Sequence, residues 1–345
     1  MVKKRFVYID ILNILATFFV LELHSSQAFF SKNASPWIYQ QTKIIQVLFI
    51  PAVLLFFMIS GAMLLEYRNR QSTQLFFKKR FQRVVVPLVA WSILWYIFDV
   101  FWTANPGPMQ HKNPSLLDFI NGLLNNNINN IFWFFYIIIA LYVATPILSY
   151  LAVNKKYDLL FYIVLVYFVV NSILIYFNQI FNLKINLMNV NQPLLTSTYV
   201  GYFIMGYLIH KNYFNRNTEN LIMLSGLLAL GIALVMAIIH PQLKTTSTTG
   251  LIVFLYSVAL FIGIKRIINR ITFSEKTIKL FSTVSAANLG VYLMHPLFIK
   301  ILDKLLAINE NSLIHIYLYP FLIYFICVFL TIILKKVPVL KNIFP

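Results

Sequence analysis

Apolar residues run through this chain in blocks of helix length, separated by short segments where the charged residues gather. Blocks at about 7–28, 44–65, 84–104, 131–151, 158–178, 195–209, 220–239, 249–264, 284–305 and 313–334 each predict a helix. At about 1.5 Å per residue, most of them reach across a bilayer. The blocks are continuous, unlike the alternating strands of about ten residues that build a membrane barrel. Lipid admits only helices or closed barrels, so the pattern predicts an all-α integral membrane protein, a polytopic bundle of about ten transmembrane helices. It shows no internal repeat or low-complexity linker, and predicts a single transmembrane domain over 1–345 with no appended soluble domain.

Composition agrees. Of 345 residues, 60% are hydrophobic and only 11% charged, which excludes an ordinary soluble multidomain protein. A net charge of +18 would suggest a nucleic-acid partner in a soluble chain, but here 21 of the 28 Lys and Arg fall on one side of the predicted spans. These include Lys3, Lys4, Arg5, the 66–83 and 265–283 segments and the Lys335, Lys336, Lys341 tail. The positive-inside rule then places both termini in the cytoplasm, with membrane lipid as a partner and no nucleic acid. Cys327 is the only cysteine, so neither an internal disulfide nor a cysteine metal site is expected. No His-x-x-Glu-His spacing or acidic cluster supports another metal site.

The first block carries polar groups where lipid would reject them. Asp10, Asn13, Thr17 and His24 fall on one helical face, with Glu22 nearly opposite. A secretory leader would also begin with basic residues, but the acidic and imidazole groups in the apolar part argue against one. Structural hydrogen bonding to neighbouring helices is one reading of Asp10 and His24; a functional site facing a bundle interior is the other. A second polar stripe, Ser285, Asn288, Tyr292 and His295, occupies one face of the ninth block, with Pro296 placed to kink it. Two histidines thus lie at membrane depth.

Before the third block, FFKKRFQRVVVP places Lys78, Lys79, Arg80 and Arg83 together. Such residues set topology or meet lipid headgroups, yet Arg80 and Arg83, three apart on one helix face, also suit phosphate. In FFMISG, Ser60 and Gly61 are read as close-packing positions. FWFFYIIIALYVATP brings Trp133 to the outer interface and Tyr136 and Tyr142 into the membrane, where their hydroxyls need partners. Segment 103–130, with Pro106-Gly107-Pro108 and a run of Asn, predicts an irregular outer loop.

The first span, FFMISG, FFKKRFQRVVVP, FWFFYIIIALYVATP and GVYLMHP occur in an order that resembles the bacterial acyltransferase 3 family of integral membrane proteins, over essentially the whole chain. The resemblance implies transfer of an acyl group, often acetyl, from cytoplasmic acyl-CoA to a hydroxyl of a cell-surface polysaccharide, lipopolysaccharide or related glycan. With hydropathy, it implies a bacterial plasma membrane. The family's first-span motif, Arg-x10-His, falls on Asn13 and His24, so the histidine is present and the arginine is not. Asn13 can donate a hydrogen bond but supplies no charge, and Arg5 is the nearest cation that could replace it.

On this reading Lys79, Arg80 and Arg83 hold the CoA, and its pantetheine arm reaches toward His24. His24 acts as general base or as covalent acyl carrier. Asp10 and Asn13 support it, and Tyr136, Asn288, Tyr292 or His295 donates to the developing oxyanion. A transporter or flippase for a lipid-linked glycan needs similar polar stripes, although matching half-helices and several midplane charges are lacking. A non-catalytic paralogue in glycan assembly is suggested by Asn13 alone.

Overall fold

A computed structural model describes residues 5–26, 34–102, 110–174, 199–240, 246–309, 311–338 and 340–344. All regular structure among them is helical. The principal helices are α1 (Val7–Ser25), α2 (Pro36–Phe49), α3 (Ala52–Leu64), α4 (Thr73–Arg80), α5 (Val86–Phe101) and α6 (Leu116–Leu124). They are followed by α7 (Trp133–Val153), α8 (Tyr157–Phe168), α9 (Val200–His210), α10 (Arg216–Ile239), α11 (Leu251–Ile268), α12 (Glu275–Leu306) and α13 (Tyr319–Leu334).

Local chemistry explains the boundaries. Ser35, Ser115, Asn215 and Ser274 each accept a backbone N–H three residues on and so cap α2, α6, α10 and α12. Pro51 separates α2 from α3, although the pair reads as one apolar run, Pro36–Asn69. Between α4 and α5 the helix widens into a π-turn, Phe81–Val85. Pro87, at the start of α5, lacks an N–H and crowds the carbonyl four residues back, so a regular ladder cannot pass through it. Helix therefore begins at Thr73, and Lys78, Lys79, Arg80 and Arg83 belong to helical turns rather than to a loop before the span.

Among the described residues, seven helical runs are long and apolar enough to cross a membrane. They are Val7–Ser25, Pro36–Asn69, Thr73–Phe101, Asn130–Val153, Arg216–Ile239, Leu251–Ile268 and Ile314–Leu334. Of the other expected spans, 158–178 and 195–209 meet the shorter helices Tyr157–Ile173 and Val200–His210, and 284–305 lies inside the 32-residue α12. Large apolar side chains face outward, among them Leu94, Ile97 and Phe101 of α5 and Phe321, Phe325 and Phe329 of α13. Water would oppose so much exposed apolar surface, whereas lipid accepts it. The chain is therefore built as a multi-pass membrane protein.

α1 is the axis of the bundle, packed against α2, α3, α11, α12 and α13. α9 is buried from Val200 to Ile209 and lies close to α3. A β-carbon at Gly61 would overlap the Phe203 carbonyl oxygen, and one at Gly206 would overlap that of Met58. Two glycines, one on each helix, thus set the α3–α9 spacing, which bears out the packing role read for Gly61.

Segment 103–130 departs from the irregular loop expected of it, as far as its described residues 110–130 go. They contain α6, held by the Tyr96 hydroxyl donating to Asp118 Oδ2 at 2.7 Å and by His111 Nδ1 at 2.8 Å from the same oxygen. The Ser115 cap followed by apolar Leu116, Leu117 and Ile120 was its signal in the sequence, masked by the surrounding Asn and Pro.

Candidate active site

The expected polar face of α1 divides into parts with different partners. Asp10 is buried and takes two hydrogen bonds from the Arg5 guanidinium, at 2.6 and 2.9 Å. Arg5 is thereby committed at the helix start, and neither residue lines the cavity described below. The cation that the resemblance asks for beside Asn13 is therefore not brought to the cavity's lining by Arg5. Asn13 donates through its amide nitrogen to the Ser285 carbonyl at 2.9 Å and to Ser285 Oγ at 3.0 Å, tying α1 to α12. Glu22, on the far face, is as buried as Asp10, because α1 has helices on every side.

A cavity of about 470 Å³ lies between α1, α3, α7, α12 and the α4–α5 π-turn. Arg80, Arg83 and Lys335 line its basic end. The Arg80 guanidinium stands 5.6 Å from the centre of the Tyr142 ring, and its Nε has no hydrogen-bond partner among the described residues. Lys335 Nζ donates to the Ala286 carbonyl at 2.8 Å. Burial, and then the neighbouring Arg83 and Lys341 cations, hold the Lys335 ammonium below the usual lysine range. Three cations converge with no acidic residue in the cavity's lining among the described residues, which makes this end receptive to phosphate.

The expected basic site is thus altered by one residue. Lys79 turns to Gln71 Oε1 at 2.6 Å and is absent from the lining, while Lys335 joins it. In the sequence Lys335 opens a pair after the last apolar block and reads as a topology determinant; only the packing of α13 beside α12 brings it to Arg83. Ser60, read as a packing residue, lines the cavity as well.

From the basic end the lining continues through Asn13, Ser285 and Asn288 to Tyr292. Asn288 is buried; its Oδ1 accepts from the Tyr324 hydroxyl at 3.1 Å, and its Nδ2 has no partner among the described residues. The Tyr292 hydroxyl is committed to the Ile131 carbonyl at 2.5 Å. Tyr136 donates to the Leu123 carbonyl on α6 and lies outside the cavity lining, because α6 occupies the position where a free hydroxyl was expected.

Beyond Tyr292 stand the two intramembrane histidines. The rings of Tyr292 and His295 are 5.8 Å apart, and those of His295 and His24 are 5.2 Å apart. His24 is half-buried and His295 fully buried. His295 Nδ1 lies 3.2 Å from the Val291 carbonyl, which can only accept, so this nitrogen carries the proton. Nε2 of the neutral ring then offers a lone pair, and it has no partner among the described residues. Pro296 follows within unbroken α12, so the expected kink does not interrupt the helix.

A third histidine, read in the sequence as a residue near a span end, supports this pair from behind. His315 is fully buried, with Nδ1 3.0 Å from the Ser25 carbonyl and Nε2 3.0 Å from Asp303 Oδ1. Both partners can only accept. Ser25 follows His24 directly, and this contact fixes the end of α1. Among the described residues no group of three or more His, Cys, Asp or Glu could hold a metal ion.

Comparison with curated proteins and with solved structures gave no match. A family model described as an acyltransferase domain, acyltransferase 3, matches residues 6–335. That match contains both histidines, the arginine pair, Lys335 and every helix around the cavity, and by it the chain belongs to the acyltransferase 3 family of membrane proteins.

Proposed function

We propose that this chain is an acyl-CoA-dependent O-acyltransferase. It moves an acyl group, acetyl in the first instance, from cytoplasmic acyl-CoA to a hydroxyl of a cell-surface polysaccharide or glycolipid sugar. The observation that carries the reading is a single cavity with three cations at one end and polar groups leading to Tyr292, next to the His295–His24 pair. Arg80, Arg83 and Lys335 receive the CoA phosphates, as a cluster of unneutralised cations would. Asn13 and His24 are eleven residues apart on α1, so the acyl thioester extends about 16 Å along the helix axis to reach the histidine.

The acceptor oxygen attacks the thioester carbonyl carbon, the carbon–sulfur bond breaks, and an ester and CoA thiol form. His24 takes the hydroxyl proton and returns it to the departing sulfur, or first carries the acyl group itself. Tyr136 and Tyr292 already spend their hydroxyls on carbonyls. Asn288, seven residues before His295 on α12, stands about 10 Å short of the histidine pair, beside the path of the thioester arm. The chain works as one transmembrane domain of a bacterial plasma membrane with both termini in the cytoplasm, a reading supported by the distribution of Lys and Arg.

The test compares O-acetyl content of surface glycans in cells lacking the protein, complemented with wild type or His24→Ala at equal membrane abundance. Restoration by wild type and not by His24→Ala is expected. Unchanged acylation together with reduced glycan export would replace this reading with a transporter.

A further inference from the structure

A second cavity, a groove of about 590 Å³, is walled by α4, the π-turn, the start of α5 and Asn342. It shares no lining residue with the cation-lined cavity, yet one turn serves both. Phe81 and Gln82 line the groove, while Arg83 and Val84 line the cavity. Asn342 comes from the short helical turn Leu340–Asn342, which is pinned by Phe344, buried with its ring edge-on to Trp91 of α5 at 5.5 Å. Two separate parts of the chain therefore build the groove.

Its lining divides into an apolar and a polar side. Phe77 and Phe81 are 39% and 57% exposed, and Val86 continues their side. Beside them lie Lys78, Gln82 and Asn342. Lys78 is exposed and meets no carboxylate among the described residues, and no acidic side chain among them lines the groove. Exposed phenyl rings beside an unneutralised cation suit a ligand that is anionic at one end and apolar at the other.

The place of the groove relative to a bilayer narrows the choice. The helical run Thr73–Phe101 has 29 residues, about 43 Å at 1.5 Å each, against about 30 Å of hydrocarbon. The surplus belongs to the end that carries Lys78, Lys79, Arg80 and Arg83, because four cations would be costly in hydrocarbon. Lys78 thus stands at headgroup depth, and Val86, eight residues on and about 12 Å along the axis, at the level of the acyl chains. A soluble phosphate compound would leave the phenyl side uncovered, and a protein segment would have to enter the bilayer to reach Val86. A phospholipid already stands there. A zwitterionic headgroup would bring its own cation to Lys78, so a net negative charge fits better.

We propose that this groove holds one anionic phospholipid, with its phosphate on Lys78, its headgroup hydroxyls on Gln82 and Asn342, and an acyl chain along Phe77, Phe81 and Val86. The inference uses only the groove and the membrane span, and stands without the acyltransferase reading.

Full-length protein in neutral detergent is titrated with short-chain phosphatidylglycerol, phosphatidylcholine of the same chain length and glycerol phosphate, and retained ligand is read by native mass spectrometry. One phosphatidylglycerol, bound about fivefold more tightly than phosphatidylcholine, with no glycerol phosphate retained, is expected. Lys78→Gln and Phe81→Gln, both at exposed positions, should each weaken it about fivefold, and Lys78→Arg should keep it. Arg83→Ala marks the other cation site: binding lost there and kept in Lys78→Gln puts the lipid in the neighbouring cavity and overturns the proposal. Equal binding of the two lipids, retention of glycerol phosphate, no retained lipid, or phosphatidylglycerol binding untouched by Lys78→Gln and Phe81→Gln overturns it as well.

Discussion

The imidazoles of His24 on α1 and His295 on α12 face each other with ring centres 5.2 Å apart, although 271 positions separate them in the chain. Nδ1–H of His295 is held by the Val291 carbonyl, which turns the basic Nε2 away from its own helix. If the two rings handle one proton in turn, their losses overlap. His24→Ala is expected to lower acyl transfer by about 10²–10⁴ and His295→Ala by less, with the double variant close to His24→Ala alone. Additive losses in kcat would separate the rings into independent roles.

The cation cluster makes a prediction about donor affinity and pH. Arg83→Ala and Lys335→Ala are each expected to raise KM for acetyl-CoA about tenfold with a smaller change in kcat, and added salt to weaken binding in wild type. On the proposed reading Lys335 meets phosphate as the ammonium. Because burial and the Arg83 and Lys341 charges lower its pKa, that charge is lost at lower pH than on a free lysine as pH rises. Donor affinity should fall along the same limb, and Lys335→Arg should move the fall to higher pH. An unchanged alkaline limb in Lys335→Arg would assign it to another group.

His315 holds Ser25 and Asp303 at once. His315→Leu leaves a carboxylate and a carbonyl without this donor and is expected to cost about 1–3 kcal/mol, seen as a lower thermal midpoint in detergent. Transfer should fall with it, because the last turn of α1 carries His24. Asp303→Asn keeps an oxygen opposite Nε2 and should lose less on both counts.

Gly61→Ala forces a methyl group onto the Phe203 carbonyl and should separate α3 from α9. Overpacking of this kind costs about 1–3 kcal/mol, and a backbone obstacle cannot rotate aside. The expected result is a lower thermal midpoint and reduced membrane abundance. Gly231→Ala is the matched control, since nothing stands within 4 Å of a β-carbon there.

How much of this was legible in the chain varied with the range of the interaction. The helical class, the central importance of α1 and the stripe Ser285, Asn288, Tyr292 and His295 all follow from periodicity and misplaced polarity, which are local. So does the arginine pair. Helix limits were less legible where proline intervened: Pro51 divides a run that hydropathy joins, and Pro87 widens a turn while the helix continues past it. Partners across the bundle could not be read at all. Asn13 and Ser285, Tyr136 and Leu123, and His315 and Ser25 are matched by tertiary packing. Lys335 shows the same limit, since as a sequence feature it was one more cytoplasmic lysine.

Tyr292, held to the Ile131 carbonyl, lines the cavity away from its cations, and this has a consequence for transport. On the proposed reaction the CoA thiol withdraws to the side from which it came, and the acylated sugar leaves to the other. Neither carrier exchanges compartments. The acyl group alone is translocated, so a thioester made in the cytoplasm drives a modification outside it without a separate exporter for the activated donor.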